Sequence, residues 1–136
     1  MSSKIFSCIN DEFRFINRIV ASDVWYPDFR RKDITDMSKM FRGSDLNGLD
    51  LSQWDTSNVT NMSYIFQNAR NIPESVGKWN TSNVRYMNLV FNQVQNIPES
   101  VGNWNTSNVT NMILMFINAQ NIPESIGNWN TSNVTN

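Results

Sequence analysis

The stretch WNTSNVTNM, residues Trp104–Met112, occurs four times in the chain with small changes. It reads WDTSNVTNM from Trp54, WNTSNVRYM from Trp79 and WNTSNVTN from Trp129, so successive tryptophans are 25 residues apart (79 − 54, 104 − 79, 129 − 104). A fixed period of this length is typical of repeat architectures, in which neighbouring repeats share one core. The sequence therefore predicts a solenoid.

The segment that follows each of these motifs has apolar residues at helical spacing. After Trp54 the apolar residues are Val59, Met62, Ile65, Phe66 and Ala69. Steps of three or four residues place side chains on one face of an α-helix. The pattern predicts one short helix per repeat, at about 33–43, 58–68, 83–93 and 108–118.

A second segment lies between each predicted helix and the next tryptophan. It reads NIPESVGKW from Asn71, NIPESVGNW from Asn96 and NIPESIGNW from Asn121. Proline ends a helix and glycine permits a sharp turn, so we expect a short extended segment that leads into each tryptophan and stacks in parallel between repeats. The predicted fold class is an α/β, leucine-rich-repeat-like solenoid of 25-residue coils, each with a short helix and a short extended or β segment.

The first part of the chain does not follow the repeat. Asn10 can cap a helix over Asp11–Ala21, where apolar residues again have helical spacing. We expect residues 1–32, which comprise this helix and an aromatic loop around Trp25, to cap one end of the solenoid. Residues 33–136 then form about four repeats, of which the last is incomplete.

The charge distribution argues against a nucleic-acid partner. The net charge is −1, and of the 11 basic and 12 acidic residues only three of each sign follow Asp55. A neutral array cannot release counterions from a phosphate backbone.

Several kinds of chemical site are also excluded by composition. The chain has no histidine and a single cysteine, Cys8, so no internal disulfide, zinc site or histidine-based catalytic set can form. No apolar run reaches the roughly 18 residues needed to span a membrane. We predict no catalytic activity, no metal, no cofactor and no membrane insertion.

Two columns of residues are candidates for ligand binding, since stacked repeats place identical side chains in ladders. They are the tryptophans and threonines Trp54, Trp79, Trp104, Trp129, Thr56, Thr81, Thr106 and Thr131. Exposed indole rings can stack on sugars, and a polar, uncharged ladder suits a protein or glycan ligand. The alternative for the tryptophans is a structural role, because tryptophan is the largest core side chain.

The repeats closely resemble those of the BspA-like leucine-rich-repeat surface proteins of bacteria and some protists, which read much like W-D-x-S-N-V-T-N-M-S-x-M-F. The resemblance covers Asp33–Asn136. It implies a cell-surface or secreted location and, for some members, adhesion to host proteins or other microbes. It implies no catalytic residue. This chain differs from the family in showing no signal peptide and in having NIPESVG where a segment like FNQPIG is expected.

These observations together predict a non-catalytic protein that recognises a protein or glycan ligand. The alternative is a structural spacer or self-associating rod, in which the uncapped C-terminal coil is the assembly interface of a homo-oligomer.

Overall fold

The computed structural model describes residues 34–136, which contain the repeats. We number them repeat 1 (34–57), repeat 2 (58–82), repeat 3 (83–107) and repeat 4 (108–132), followed by residues 133–136. The predicted helix over Asp11–Ala21 and the proposed capping domain over 1–32 lie outside the described residues and stay predictions.

Regular secondary structure in this part of the chain consists of three short 3-10 helices. They span Glu74–Lys78, Glu99–Asn103 and Glu124–Asn128. Isolated parallel β-bridges join Asp36 to Asn61, Asn61 to Tyr86, Tyr86 to Asn111 and Asp45 to Arg70. No α-helix and no β-strand occurs between residues 34 and 136. The α/β, leucine-rich-repeat-like solenoid predicted from the sequence is therefore wrong.

The predicted helices, such as the one over 58–68, are wrong because consecutive turns produce the same apolar spacing. The Ile65 amide donates to the Met62 carbonyl at 3.1 Å, three residues back rather than four. Tyr64 and Asn68 have positive φ values of 62° and 55°, which a right-handed helix cannot contain. Side chains three or four residues apart still point into the core.

Other amides within these turns donate to the neighbouring repeat. The Lys39 amide donates to the Ser63 carbonyl at 3.0 Å, and the Tyr64 amide donates to the Asn88 carbonyl at 2.9 Å. The Leu89 amide makes the same bond to repeat 4, also at 3.0 Å. This ladder of hydrogen bonds between repeats provides partners for backbone N–H and C=O groups, which in an α-helix would bond to each other.

The predicted extended segment before each tryptophan is also wrong, because the 3-10 helices occupy it. Each helix is preceded by a proline in extended conformation, as Pro73 is before Glu74–Lys78. Proline suits the start of a helix, where its missing amide would have no intrahelical partner. The helices direct Val76 and Val101 into the core.

The core is built from two adjoining columns of aromatic rings. One column contains phenylalanines with ring centroids 5.7–6.0 Å apart, Phe41, Phe66, Phe91 and Phe116. The other contains tryptophans 6.2–6.4 Å apart, Trp54, Trp79, Trp104 and Trp129. These separations are within the range of stacked aromatic pairs. Since each repeat adds one ring to each column, the repeats share a single core.

Candidate functional site

Most of the predicted tryptophan column lies in the core. Trp54, Trp79 and Trp104 are 6%, 4% and 3% exposed. The indole N–H of Trp79 donates to the Leu51 carbonyl and that of Trp104 to the Val76 carbonyl, both at 2.9 Å. Neighbouring rings cover the faces on which a sugar would stack. This placement favours the structural alternative for these three residues.

The first three predicted threonines are buried as well, at 2% exposure or less. The Thr56 hydroxyl donates to the Asn80 carbonyl at 3.0 Å, and the Thr81 hydroxyl donates to the Asn105 carbonyl at 3.1 Å. Thr106 makes the same bond to the following repeat. These hydroxyls connect repeats to one another, so they are engaged within the protein.

The last member of each column is more accessible than the others. Trp129 is half-buried, with its indole N–H donating to the Val101 carbonyl at 3.0 Å, and Thr131 is exposed. Ligand binding by the eight predicted residues stays a prediction. The structure does not bring them together on one accessible surface.

A groove opens between repeats 2 and 3, where the backbone ladder lacks a bond that both flanking junctions have. A second ladder bond of this junction, from the Phe66 amide to the Val90 carbonyl, is also absent. The Arg70 amide donates to repeat 1 at 2.8 Å, and the Gln120 amide donates to repeat 3 at 2.9 Å. The corresponding groups between repeats 2 and 3 are the Gln95 amide and the Ala69 carbonyl. Within residues 34–136 these two groups are bonded neither to each other nor to any other group.

The side chain of Val94 explains why the ladder is interrupted here. Val94 is 1% exposed and stands where repeats 2 and 4 have Ala69 and Ala119. A close-packed core accommodates two additional methyl groups only if the surrounding backbone moves. We therefore attribute the absence of a hydrogen bond between the Gln95 amide and the Ala69 carbonyl to this valine.

The backbone beyond the valine also differs from that of the neighbouring repeats. Asn71 and Asn121 have positive φ values of 56° and 50°, whereas the equivalent Asn96 is outside the positive-φ region. The chain therefore leaves the ladder in a different direction in repeat 3. The groove lies between the backbone at Asn71 in repeat 2 and the backbone at Asn96 in repeat 3.

The groove has a volume of about 430 Å³ and an opening to solvent. Its walls are Asn68, Ala69, Arg70, Asn71, Ile72 and Glu74 from repeat 2, and Gln93, Gln95, Asn96, Ile97 and Pro98 from repeat 3. Five of these side chains are amides, each of which offers a hydrogen-bond donor and an acceptor. Together with the isoleucines and the proline, they form a polar, uncharged surface with an apolar component, which suits a neutral polar ligand.

Both charged residues of the groove interact with other parts of the protein. One carboxylate oxygen of Glu74 accepts a hydrogen bond from the Ser100 amide at 2.9 Å. Arg70 lies near Asp45, whose pKa is lowered mainly by a hydrogen bond from the Asn71 side chain, then by the Asn47 amide, and to a smaller degree by the charge of Arg70. The two charges are opposite in sign, so the lining of the groove is neutral overall.

The described part of the chain contains neither a candidate metal site nor a candidate membrane-spanning helix. Residues 34–136 contain no group of three or more His, Cys, Asp or Glu residues placed to hold a metal ion. Over the same residues, no helix has the length and hydropathy required to cross a bilayer.

The groove could not be predicted from the repeat pattern. The candidate residues chosen from that pattern recur in every repeat, whereas we attribute the groove to Val94, which departs from the repeat. The available signal was the alternation of alanine, valine and alanine at positions 69, 94 and 119. Its meaning depends on the burial of this position, which periodicity alone does not give.

The sequence profile of one protein family matches residues 35–136 and is described as "Mycoplasma protein of unknown function, DUF285". The matched part includes all residues of the groove. No curated protein and no solved structure matches the chain.

Proposed function

The chain belongs to the DUF285 family, and we propose that it is a non-catalytic recognition protein that binds a protein or glycan ligand in the groove between repeats 2 and 3. The observation that carries this proposal is the interrupted ladder between Gln95 and Ala69. It leaves a backbone donor and a backbone acceptor open beside five amide side chains. Polar groups that the fold does not satisfy are suited to contact a ligand.

The chemistry of the groove supports binding rather than catalysis. Its lining contains no serine, threonine or cysteine that could act as a nucleophile, and the Glu74 carboxylate accepts a bond from the neighbouring repeat. A catalytic site requires a nucleophile or an acid–base pair within reach of the substrate. The resemblance to BspA-like surface proteins further supports recognition or adhesion at a cell surface.

Binding by the purified full chain tests this proposal directly. The chain is screened against an immobilised library of short random peptides and against a glycan array. We expect ligands of at least one class, and we expect Gln95→Ala to weaken their binding about fivefold or more, because it removes one groove amide. Gln120→Ala makes the same change at the next junction, where the equivalent ladder bond is present, and is expected to leave affinity unchanged.

Two outcomes would contradict this proposed function. One is the absence of binding to either library. The other is an equal loss of affinity in both variants, which would place the site elsewhere or indicate a general effect on folding.

The apolar surface of repeat 4 favours self-association as a second candidate function. Four large apolar side chains on this repeat are 41–52% exposed, Ile113, Leu114, Ile117 and Ile122. Repeats 2 and 3 have polar residues in place of the first and third of these, Ser63, Gln67, Asn88 and Asn92. An exposed group of this kind suits contact with another protein surface.

Backbone polarity limits how two copies could associate through this surface. The amides of Leu114 and Phe116 have no acceptor within residues 34–136, so this side of repeat 4 presents donors. Donors cannot pair with donors in a symmetric, face-to-face dimer. Self-association would therefore use the apolar side chains, or join this surface to a different one on the second copy.

Sedimentation at several protein concentrations tests self-association. We expect the average mass to rise with concentration, and the double change Ile113→Lys and Ile117→Lys to prevent the rise because it places charge in the apolar contact. Gln120→Lys is the control for added charge. A wild-type protein that stays monomeric over the whole concentration range would contradict this second function.

A further inference from the structure

We infer that the ligand of the groove is an extended peptide segment, which adds its own backbone to the interrupted ladder. This inference rests on the proposed function, since it names the class of ligand for the same site. At the two flanking junctions, the equivalent position is closed by a direct hydrogen bond between repeats. The Arg70 amide donates to the Ser44 carbonyl, and the Gln120 amide donates to the Val94 carbonyl.

The groups left open in the groove are those of a peptide backbone. The Gln95 amide can donate one hydrogen bond and the Ala69 carbonyl can accept one. A peptide chain offers both complementary groups at every residue other than proline. An extended segment that lies between the two backbones can therefore satisfy both, as a strand does when it adds to the edge of a sheet.

The side chains of the groove suit a peptide of unspecified sequence. Asn68, Gln93 and Gln95 carry amides, which can pair with further backbone groups of a bound chain. The side-chain amides of Asn71 and Asn96 already bond to other residues of the protein. Ile72 and Ile97 offer apolar contact for one ligand side chain. Because the groove carries one charge of each sign, Arg70 and Glu74, we expect little preference for acidic or basic peptides.

A glycan fits this groove less well than a peptide. Sugar rings are commonly bound by stacking on aromatic side chains, but no aromatic side chain lines the groove. Trp54, Trp79 and Trp104 are in the core at 3–6% exposure. Hydrogen bonds from amides alone would leave the apolar faces of a sugar without a contact.

The decisive variant is Val94→Ala, which restores the alanine found in repeats 2 and 4. We expect the Gln95 amide to bond to the Ala69 carbonyl and the groove to close, so that peptide binding falls about tenfold or more. The probes are the peptides selected from the random library by the full-length wild-type chain. Hydrogen exchange at the Gln95 amide reports whether the groove has closed in the variant.

A matched control separates groove closure from loss of packing. Val90→Ala shortens another fully buried valine of repeat 3 but leaves the groove residues unchanged. We expect it to reduce stability and to retain peptide affinity within about twofold at a temperature at which the variant is folded. Equal loss of binding in the two variants would overturn the inference.

The selected peptides provide a second test that does not depend on how the variant folds. Each backbone amide of one peptide is methylated in turn, which removes one donor at a time. We expect one or two positions to lose about tenfold or more in affinity, because those amides pair with the groove. The same peptide should slow hydrogen exchange at the Gln95 amide when it binds.

The outcomes distinguish this inference from the proposed function on which it rests. Binding to glycans but not to peptides, with loss in Gln95→Ala, would overturn the peptide inference and retain the recognition function. Failure of both libraries would overturn both. Peptide binding that no methylation affects would overturn pairing with the ladder.

Discussion

At the scale of single residues, two glycines allow neighbouring repeats to approach closely. A Cβ added at Gly77 would overlap the side chain of Ser100 and lie 2.8 Å from its carbonyl oxygen, and Gly102 has the same relation to Ser125. The Ser100 hydroxyl donates to the Glu74 carbonyl at 2.8 Å. We predicted from the sequence that these glycines form sharp turns. Their φ values are not positive, so close approach is the property that requires glycine here.

We predict that Gly77→Ala lowers the free energy of unfolding by about 1–3 kcal/mol, because the added methyl group separates repeats 2 and 3. Gly102→Ala should have a similar effect between repeats 3 and 4. Gly127→Ala is the matched control, since a Cβ there meets nothing within 4 Å. Urea denaturation measures all three variants. An equal effect at Gly77 and Gly127 would show that the contact with Ser100 does not limit this position.

The tryptophans give a second prediction at this scale. In a Trp25→Phe and Trp129→Phe double variant, only the three buried tryptophans report. We expect blue-shifted fluorescence that acrylamide quenches poorly, since these rings are 3–6% exposed. Restoring Trp129, which is half-buried, should add a quenchable fraction. Red-shifted, readily quenched emission from the double variant would place the rings in water and revive their role as a ligand platform.

At the scale of the structural elements, the period of the sequence predicted which residues align, but not their backbone conformation. Val59, Met62 and Phe66 were expected on one apolar face, and all three are fully buried. The same spacing fits an α-helix and a series of turns, so periodicity could not distinguish them. The deciding feature is positive φ at Tyr64 and at Asn68. Asparagine tolerates this conformation, but tyrosine gives no such signal in the sequence.

Side-chain bonds between repeats give a prediction at the element scale. We expect Thr81→Val to lower the free energy of unfolding by about 1–2 kcal/mol, because the hydrogen bond from the buried Thr81 hydroxyl to the Asn105 carbonyl is lost. Thr131→Val is the control, since Thr131 is exposed and its replacement should change stability by about 0.5 kcal/mol or less. Thermal unfolding measures both. Equal stability of the two variants would contradict the structural role assigned to the buried threonines.

At the scale of the whole molecule, the repeats share one core but are not all joined in the same way. Identical NIPES segments in repeats 2 and 3 adopt different backbone conformations at Asn71 and Asn96. We attribute the difference to one buried valine beside them, Val94, which acts through packing. The candidate site was therefore not predictable from the repeat motif, although the aligned sequences contain the substitution that produces it. Conversely, the tryptophan column, which the motif did predict, is largely buried.

The central claim is that the ladder bond made by the Arg70 and Gln120 amides at the flanking junctions is absent at the Gln95 amide in the groove. Native-state hydrogen exchange at the amides of Arg70, Gln95 and Gln120 tests it most directly. We predict slow exchange at Arg70 and Gln120, which have acceptors at 2.8 Å and 2.9 Å, and exchange about tenfold or more faster at Gln95. Equal protection at all three amides would contradict the claim, because it would mean that the ladder continues between repeats 2 and 3.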